Sequence, residues 1–158
     1  MHKKGQSKHG TEGLVKQVVD AKAYLRQVKL FDTHINNKLA ELATLKEMTT
    51  KITATLKQDV AAGGGGSQDK LGDVVAKIID LEAEINRAVD EYVDKKKEVS
   101  AVIEQIQDPD QVAVLHKRYF QYEQWEQIAC ELHCTFRNVC YIHGKALQAV
   151  EAILLVKE

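Results

Sequence analysis

The sequence predicts an all-α protein in which a long antiparallel two-helix coiled-coil hairpin is followed by a small C-terminal helix-turn-helix domain. Three observations support this prediction. The 158-residue chain contains nine Gly and one Pro, which are few turn-forming residues for a β-sandwich. Apolar residues recur every seven positions through the middle of the chain, as in a coiled coil. After Pro109 the apolar pattern shortens to three helix-length segments, which favours a small helical domain.

Two breaks divide the predicted structure. Residues 1–13 predict a flexible N-terminus. The run Ala61–Ser67 contains four consecutive Gly, which interrupt a helix, so residues 14–107 are predicted to form the hairpin, with its loop at 61–70. The glycine run fits either a native loop or an engineered linker. Pro109 suits the first position of a new helix, and residues 108–158 are assigned to the helix-turn-helix domain.

Each arm of the hairpin carries its own apolar seam. In the second arm an apolar residue recurs at every seventh position, at Leu71, Ile78, Ile85, Tyr92, Val99 and Ile106. The first arm alternates steps of four and three residues through Leu14, Val18, Ala21, Leu25, Val28, Ile35, Leu39 and Leu42, and then changes phase through Leu45, Met48, Ile52 and Leu56. Because only a short loop joins the two amphipathic helices, we expect them to pack antiparallel.

The net charge of −1 conceals a division along the chain. Residues 1–60 hold 11 basic and 6 acidic side chains, residues 61–109 hold 6 and 11, and residues 110–158 hold 5 and 6. Opposite charges on the two arms also favour their pairing, although exposed ion pairs contribute only about 0–1 kcal/mol each. Burial of the seam must therefore dominate. So long an apolar stripe further predicts packing against a second copy, as a homodimer or higher homo-oligomer.

The C-terminal domain is predicted to contain three short helices. In the middle helix one face is apolar, comprising Trp125, Ile128, Ala129 and Leu132. The last helix repeats this arrangement with Val139, Ile142, Ala146 and Leu147, and Thr135 stands at its N-cap position. A short turn at His133 and Cys134 joins the two. This is the pattern of a helix-turn-helix whose second helix leaves its outer face free to enter the major groove.

These residues resemble a known family. The pattern comprises Leu115-x2-Arg118-Tyr119, Trp125-x2-Ile128-Ala129-x2-Leu132 and Thr135-x3-Val139-x2-Ile142-His143-x-Lys145-Ala146-Leu147. It resembles region four of bacterial sigma factors, which reads a promoter element. It is still more similar to the small phage proteins of the ArpU/RinA-like late-transcription-regulator group, of which the Trp before Ile-Ala and the string Tyr-Ile-His-Gly-Lys-Ala-Leu are typical. The hairpin with its glycine run also resembles phage relatives.

The resemblance implies a DNA-binding regulator of phage late genes. It implies a recognition helix at 135–149 that begins after its N-cap, Thr135, with Phe136, Arg137, Cys140 and Tyr141 facing the bases and with Asn138, His143 and Lys145 near phosphates. Arg137 is the best candidate for a specific contact, because a guanidinium can bridge O6 and N7 of guanine. The sequence departs from sigma factors where they carry several arginines, since Phe136 and Cys140 occupy such positions.

Other chemistry is less well supported by the sequence. Cys130, His133, Cys134, Cys140 and His143 have the residue types of a zinc site, but their predicted places on the support helix, the turn and the outer face diverge. We expect no metal, no cofactor and no catalytic residue, because the cysteines and histidines lack a third partner for nucleophilic catalysis. No run of 18 apolar residues and no apolar segment after the basic N-terminus is present. We therefore expect a cytoplasmic protein of a bacterial host cell with no membrane contact.

Three functions remain open at this point. The first is a sequence-specific regulator that binds double-stranded DNA. The second is a protein-interaction module that binds host RNA polymerase. The third is a structural or packaging-associated coiled-coil protein. The low positive charge of the last 50 residues counts against strong non-specific attraction to DNA, so a DNA-binding protein of this kind needs dimerisation to double its contacts.

Overall fold

The computed structural model describes residues 20–61 and 68–156. Its helices are α1 (Ala21–Val60), α2 (Gln68–Ile103), α3 (Pro109–Tyr119), α4 (Trp125–Glu131) and α5 (Phe136–Val156). The described ranges contain no strand, so the prediction of an all-helical protein is confirmed for them. The flexible segment predicted at 1–13 and the first residues of the predicted hairpin, 14–19, lie outside the described residues.

Two predicted boundaries are corrected. The loop assigned to 61–70 is too long at its C-terminal side, because α2 begins at Gln68. Asp69 lies in the first turn of α2, where a carboxylate is favoured by the helix dipole. The last helix, predicted to end at 149, continues to Val156, because Val150 and Ile153 extend its apolar face into the core.

Helices α1 and α2 lie along each other and run in opposite directions. Three polar contacts define the register: the Tyr24 hydroxyl donates to the Glu98 carboxylate at 3.0 Å, Lys38 pairs with Glu84 at 2.5 Å, and Lys46 pairs with Glu82 at 2.9 Å. Positions rise along α1 as they fall along α2. The apolar side chains buried along these two helices are Ala21, Leu25, Val28, Ile35, Val74, Leu81, Ile85, Ala88, Val99, Val102 and Ile103.

The start of α3 is fixed by a capped proline. Pro109 is the first residue of the helix, where its missing N–H costs nothing. The Asp108 carboxylate accepts hydrogen bonds from the backbone N–H groups of Asp110 at 2.9 Å and Gln111 at 3.4 Å. These bonds satisfy donors that the first helical turn leaves free.

The turn between α4 and α5 is closed by backbone hydrogen bonds. The N–H of Cys134 donates to the carbonyl of Ala129 at 3.0 Å, and the N–H of His133 donates to that of Cys130 at 3.2 Å. This pair of bonds ends a helix through a left-handed residue, usually Gly, and His133 takes that place with φ of 52°. The predicted N-cap at Thr135 is confirmed, since its hydroxyl accepts from the N–H of Asn138 at 3.1 Å.

The buried side chains form two clusters. The larger one, here called the junction core, draws Leu25 from α1, Ile103 from α2, Leu115 from α3 and Val150 from α5. The smaller one, the head core, joins α3, α4 and α5 through Val114, Ile128, Ala129 and Val139. The junction core combines residues from both sides of the predicted domain boundary at 107/108, so the hairpin base and the C-terminal helices are packed as one unit.

Helix α5 satisfies the length and composition of a membrane span. Its most apolar 18-residue window has a mean hydropathy of 1.4. Polar residues interrupt the apolar sequence of this helix. Val139 lies in the head core and Ala146 and Val150 lie in the junction core, so these three side chains pack within the protein, whereas Leu155 and Val156 at the end of the helix are exposed.

Candidate nucleic-acid interface

Helix α5 has one buried face and one open face. The residues buried on it are Val139, His143, Ala146 and Val150, which are spaced by four, three and four positions and therefore share one side of the helix. The opposite side and the N-terminal end of the helix form the outward face, defined here as Arg137, Tyr141, Gly144, Lys145 and Gln148, with Cys140 at its edge and Phe136 at the N-terminal end. All seven of these residues are exposed.

The outward face combines cations with aromatic rings. Phe136 is 49% and Tyr141 is 63% exposed, although side chains of this size usually lie inside a protein. The Lys145 ammonium lies 5.8 Å from the centroid of the Tyr141 ring, within the range of a cation–π contact. A Cβ added at Gly144 would contact nothing. The surface beside Tyr141 and Lys145 is therefore open to a ligand that approaches the helix.

Seven of the eight predicted site residues lie at the surface of α5 or its cap. The structure places these residues together on the N-terminal half of one helix, and all of them are exposed: Thr135, Phe136, Arg137, Asn138, Cys140, Tyr141 and Lys145. The N-cap bond from Thr135 fixes where the helix begins, so the positions that follow it have a defined orientation relative to the domain.

The prediction for the eighth residue, His143, is wrong, because this side chain is buried and does not lie at the surface of α5. Only 8% of it is exposed, and its Nε2 lies 2.9 Å from the Tyr119 hydroxyl. The Trp125 ring meets the imidazole edge to face at 4.7 Å between centroids. Burial lowers the pKa of His143 from 6.5 to about 4, and the charges of Lys22 and Arg118 act in the same direction. Because the ring is buried against Tyr119 and Trp125, it is not accessible to a phosphate at the surface of α5. The sequence did contain a signal for this burial: His143 follows the apolar Val139 by four residues and precedes the apolar Ala146 by three, which places it on their side of the helix.

Sequence patterns did not reveal the contacts that hold α4 against α3. The Lys117 ammonium pairs with Glu131 of α4 and lies 3.6 Å from Glu123. The hydrogen bond to Glu131 raises the pKa of Lys117, and the same bond lowers the pKa of Glu131. Arg118 stacks on Trp125, with its guanidinium carbon 4.4 Å from the ring centroid. Both contacts fix the position of α4, and thereby the frame that carries α5.

The cysteines do not form a common site. Cys130 and Cys140 are exposed, Cys134 is half-buried, and all three are free thiols. Within residues 20–61 and 68–156, no group of three His, Cys, Asp or Glu side chains could hold a metal ion. His133 is exposed in the turn whereas His143 is buried against Tyr119, so the spacing considered for zinc is not brought together in these ranges.

Comparison with known proteins gives a family for the chain. Residues 51–151 match a family model described as a protein of unknown function, DUF1492, which is phage-associated. The match includes α2, α3, α4 and the whole outward face of α5. No curated protein and no solved structure matches the chain. Because the matched segment covers well over half of the 158 residues, the chain belongs to the DUF1492 family.

Proposed function

We propose that the protein is a sequence-specific transcription regulator of phage late genes that binds double-stranded DNA through α5. The observation that carries the proposal is the outward face of α5, on which Arg137, Tyr141 and Lys145 are exposed beside an open surface at Gly144. An α-helix fits the major groove of DNA, where base pairs present distinct hydrogen-bonding patterns. In this proposal α4, the turn at His133 and α5 act as a helix-turn-helix.

The supporting geometry lies in how α5 is held. Its N-terminus is capped by Thr135, and its buried face packs on the head core. The α4 helix is anchored by Lys117 and by the Arg118–Trp125 stack. A reading helix must be fixed to within fractions of an ångström, because base contacts depend on orientation. These contacts give α5 that rigidity.

Each outward side chain has a role in the proposed complex. The Arg137 fork can donate two hydrogen bonds to O6 and N7 of guanine. Phe136 can contact a thymine methyl group, and Tyr141 can do the same or donate to a phosphate. Lys145 and Asn138 suit phosphate oxygens, which position the helix without reading the sequence.

The first test replaces Arg137. We expect Arg137→Ala to cost about 1–3 kcal/mol of discrimination between a cognate and a scrambled duplex, because the variant cannot form the bidentate contact to guanine. The measurement is fluorescence anisotropy with both duplexes, and far-UV circular dichroism checks that the helices persist. Arg137→Lys is the matched control for charge. It should keep much of the total affinity but discriminate poorly, since an ammonium lacks the planar fork. Equal reductions in affinity for both duplexes would contradict a base-reading role for Arg137.

A second element of the proposal is oligomerisation through the hairpin. Six apolar side chains of α1 and α2 are between 38% and 61% exposed: Leu39, Met48, Val75, Ile79, Val89 and Val93. The four on α2 fall within about 80° around the helix axis and extend over about 27 Å. Lys46 of α1 pairs with Glu82 of α2. Leu39 precedes Lys46 by seven residues and Val89 follows Glu82 by seven, so in the antiparallel pair Leu39 lies on the same side as Val89. We call the surface formed by Leu39 and the four α2 residues the hairpin apolar face.

The spacing of the hairpin apolar face suits a second copy of the chain. Val75 and Val93 lie nine residues to either side of position 84, and Ile79 and Val89 lie five residues to either side. Two α2 helices packed antiparallel about a two-fold axis would bring Ile79 against the partner's Val89 and Val75 against the partner's Val93. Such self-complementarity is what a two-fold symmetric interface requires. A dimer would present two copies of α5 and double the contacts to DNA.

The test of this interface introduces a charge into it. We expect the wild-type protein to be a dimer and Ile79→Glu to be a monomer in analytical ultracentrifugation, because a carboxylate against the partner's Val89 would be buried without a partner. Leu30→Glu is the matched control. Leu30 is exposed and lies half a turn around α1 from Leu39. Mixing Ile79→Glu with Val89→Lys should restore a heterodimer. A monomeric wild type, or a dimeric Ile79→Glu, would contradict the interface.

Host RNA polymerase is the second candidate partner. The exposed rings of Phe136 and Tyr141 favour it, because aromatic residues are enriched at protein interfaces. Capture of polymerase subunits from nuclease-treated lysate, abolished by Phe136→Ala, would support this function. Capture that persists only when DNA is left intact would support the DNA-binding function instead.

A further inference from the structure

A polar cleft lies between the first turns of α1 and the C-terminal end of α3. Its volume is about 190 Å³, and it is lined by Arg26, Lys29, Arg118, Tyr119, Tyr122 and Gln124. Three of the six side chains are cations and none is a carboxylate. The cleft is separate from the outward face of α5, with which it shares no residue.

The cation at the back of the cleft is held in place. One nitrogen of the Arg118 guanidinium donates to the carbonyl of Glu123 at 2.7 Å, and its plane stacks on Trp125. These two contacts fix the guanidinium but use only part of its five donors. An arginine oriented in this way loses little side-chain entropy when it binds an anion.

Two of the cations that line the cleft come from α1. Arg26 and Lys29 are three residues apart and so share one side of the helix. Within the described part of the chain, neither of them nor Arg118 forms an ion pair with a carboxylate. Mutual repulsion among unpaired cations is relieved when an anion binds between them.

Tyr122 forms one wall of the cleft at a conformational cost. Its φ is 59°, in the left-handed region that favours Gly. The ring lies under Lys29, whose ammonium is 5.6 Å from the ring centroid. Burial raises the pKa of Tyr122, and the charge of Asp32, which does not line the cleft, acts in the same direction. Tyr122 therefore lines the cleft in a backbone conformation that is unfavourable for a large side chain.

We infer that the cleft formed by Arg26, Lys29 and Arg118 binds a phosphate group. Arginine forks match the geometry of phosphate oxygens, and lysine adds a mobile positive charge. The group could belong to the backbone of bound DNA or to a small phosphate-bearing molecule. Only the first source rests on the proposed DNA-binding function.

The experiment uses the full chain and two probes. Backbone amide NMR spectra are followed as inorganic phosphate is added, with chloride at equal ionic strength as reference. Binding to a cognate and a scrambled duplex is measured over a salt series. The test variant is the double substitution Arg26→Gln and Lys29→Gln, which spares the packed Arg118. The matched control, Lys51→Gln with Lys57→Gln, removes the same charge at the far end of α1.

The expected result is a saturable shift of cleft amides with phosphate in the wild type and the control, and no such shift in the test variant. If the group is a DNA phosphate, the test variant also lowers the salt slope of both duplexes by about 1, because the cleft would neutralise one phosphate. If it is a small molecule, the duplex titrations remain unchanged. Equal responses of all three proteins to phosphate would overturn the inference. Phosphate binding without any duplex binding would reject the proposed function and leave the cleft assignment standing.

Discussion

Lowering the pH from 7 to 5 is expected to reduce the free energy of unfolding by about 2 kcal/mol through His143 alone. The imidazole is buried between Tyr119 and Trp125, and burial lowers its pKa from 6.5 to about 4. The unfolded chain takes up the proton near pH 6.5, but the folded chain does not. The stabilisation is therefore complete above pH 6.5 and is lost as the pH falls towards 4, about 3 kcal/mol in all.

The measurement is urea unfolding at several pH values between 7 and 5, where carboxylates remain ionised. His143→Phe should flatten the dependence, although it lowers the overall stability because the Tyr119 hydroxyl loses its buried partner. His34→Gln is the matched control at an exposed histidine and should keep the slope. Burial also lowers the pKa of His116, which adds a contribution of the same sign that His116→Gln would isolate. A stability independent of pH in the wild type would contradict the buried neutral His143.

Replacing Leu115 by Ala is expected to lower the free energy of unfolding by about 2–5 kcal/mol. Leu115 is fully buried in the junction core, where residues of α1, α2, α3 and α5 meet. The cavity left by the substitution therefore weakens the hairpin and the C-terminal helices together. We expect a single cooperative transition that moves to lower denaturant concentration as a whole.

Two signals distinguish the parts of the molecule in this experiment. Trp125, the single Trp, reports on α4 by fluorescence, whereas far-UV circular dichroism is dominated by α1 and α2. Both signals should shift equally in Leu115→Ala. Leu30→Ala, at an exposed site on α1, should change stability by less than about 0.5 kcal/mol. Separate transitions for the two signals would show that the hairpin and the C-terminal helices unfold independently.

The sequence was sufficient to predict elements that depend on local patterns. The recurrence of apolar residues at every seventh position predicted α2, and Ile85 and Val99 of that series are buried. Pro109 and Thr135 predicted where α3 and α5 begin, since capping acts within a single turn of chain. The site residues of α5 were assigned from a resemblance, and His143 among them is buried rather than exposed.

Features that depend on long-range packing could not be predicted. The junction core combines Leu25 with Val150 across most of the chain, whereas the sequence pattern suggested a boundary at Pro109. The stack of Arg118 on Trp125 depends on how closely α3 and α4 approach. His133 and Tyr122 adopt left-handed conformations without Gly, so the usual sequence signal for such positions was missing.

Selection from a random pool of duplex DNA at two salt concentrations tests whether α5 reads a DNA sequence as part of a two-fold symmetric dimer. We predict enrichment of one motif with two inverted half-sites, and its persistence at the higher salt concentration, because base contacts are less sensitive to salt than phosphate contacts. Retention of DNA without an enriched motif, abolished at the higher salt concentration, would contradict this claim.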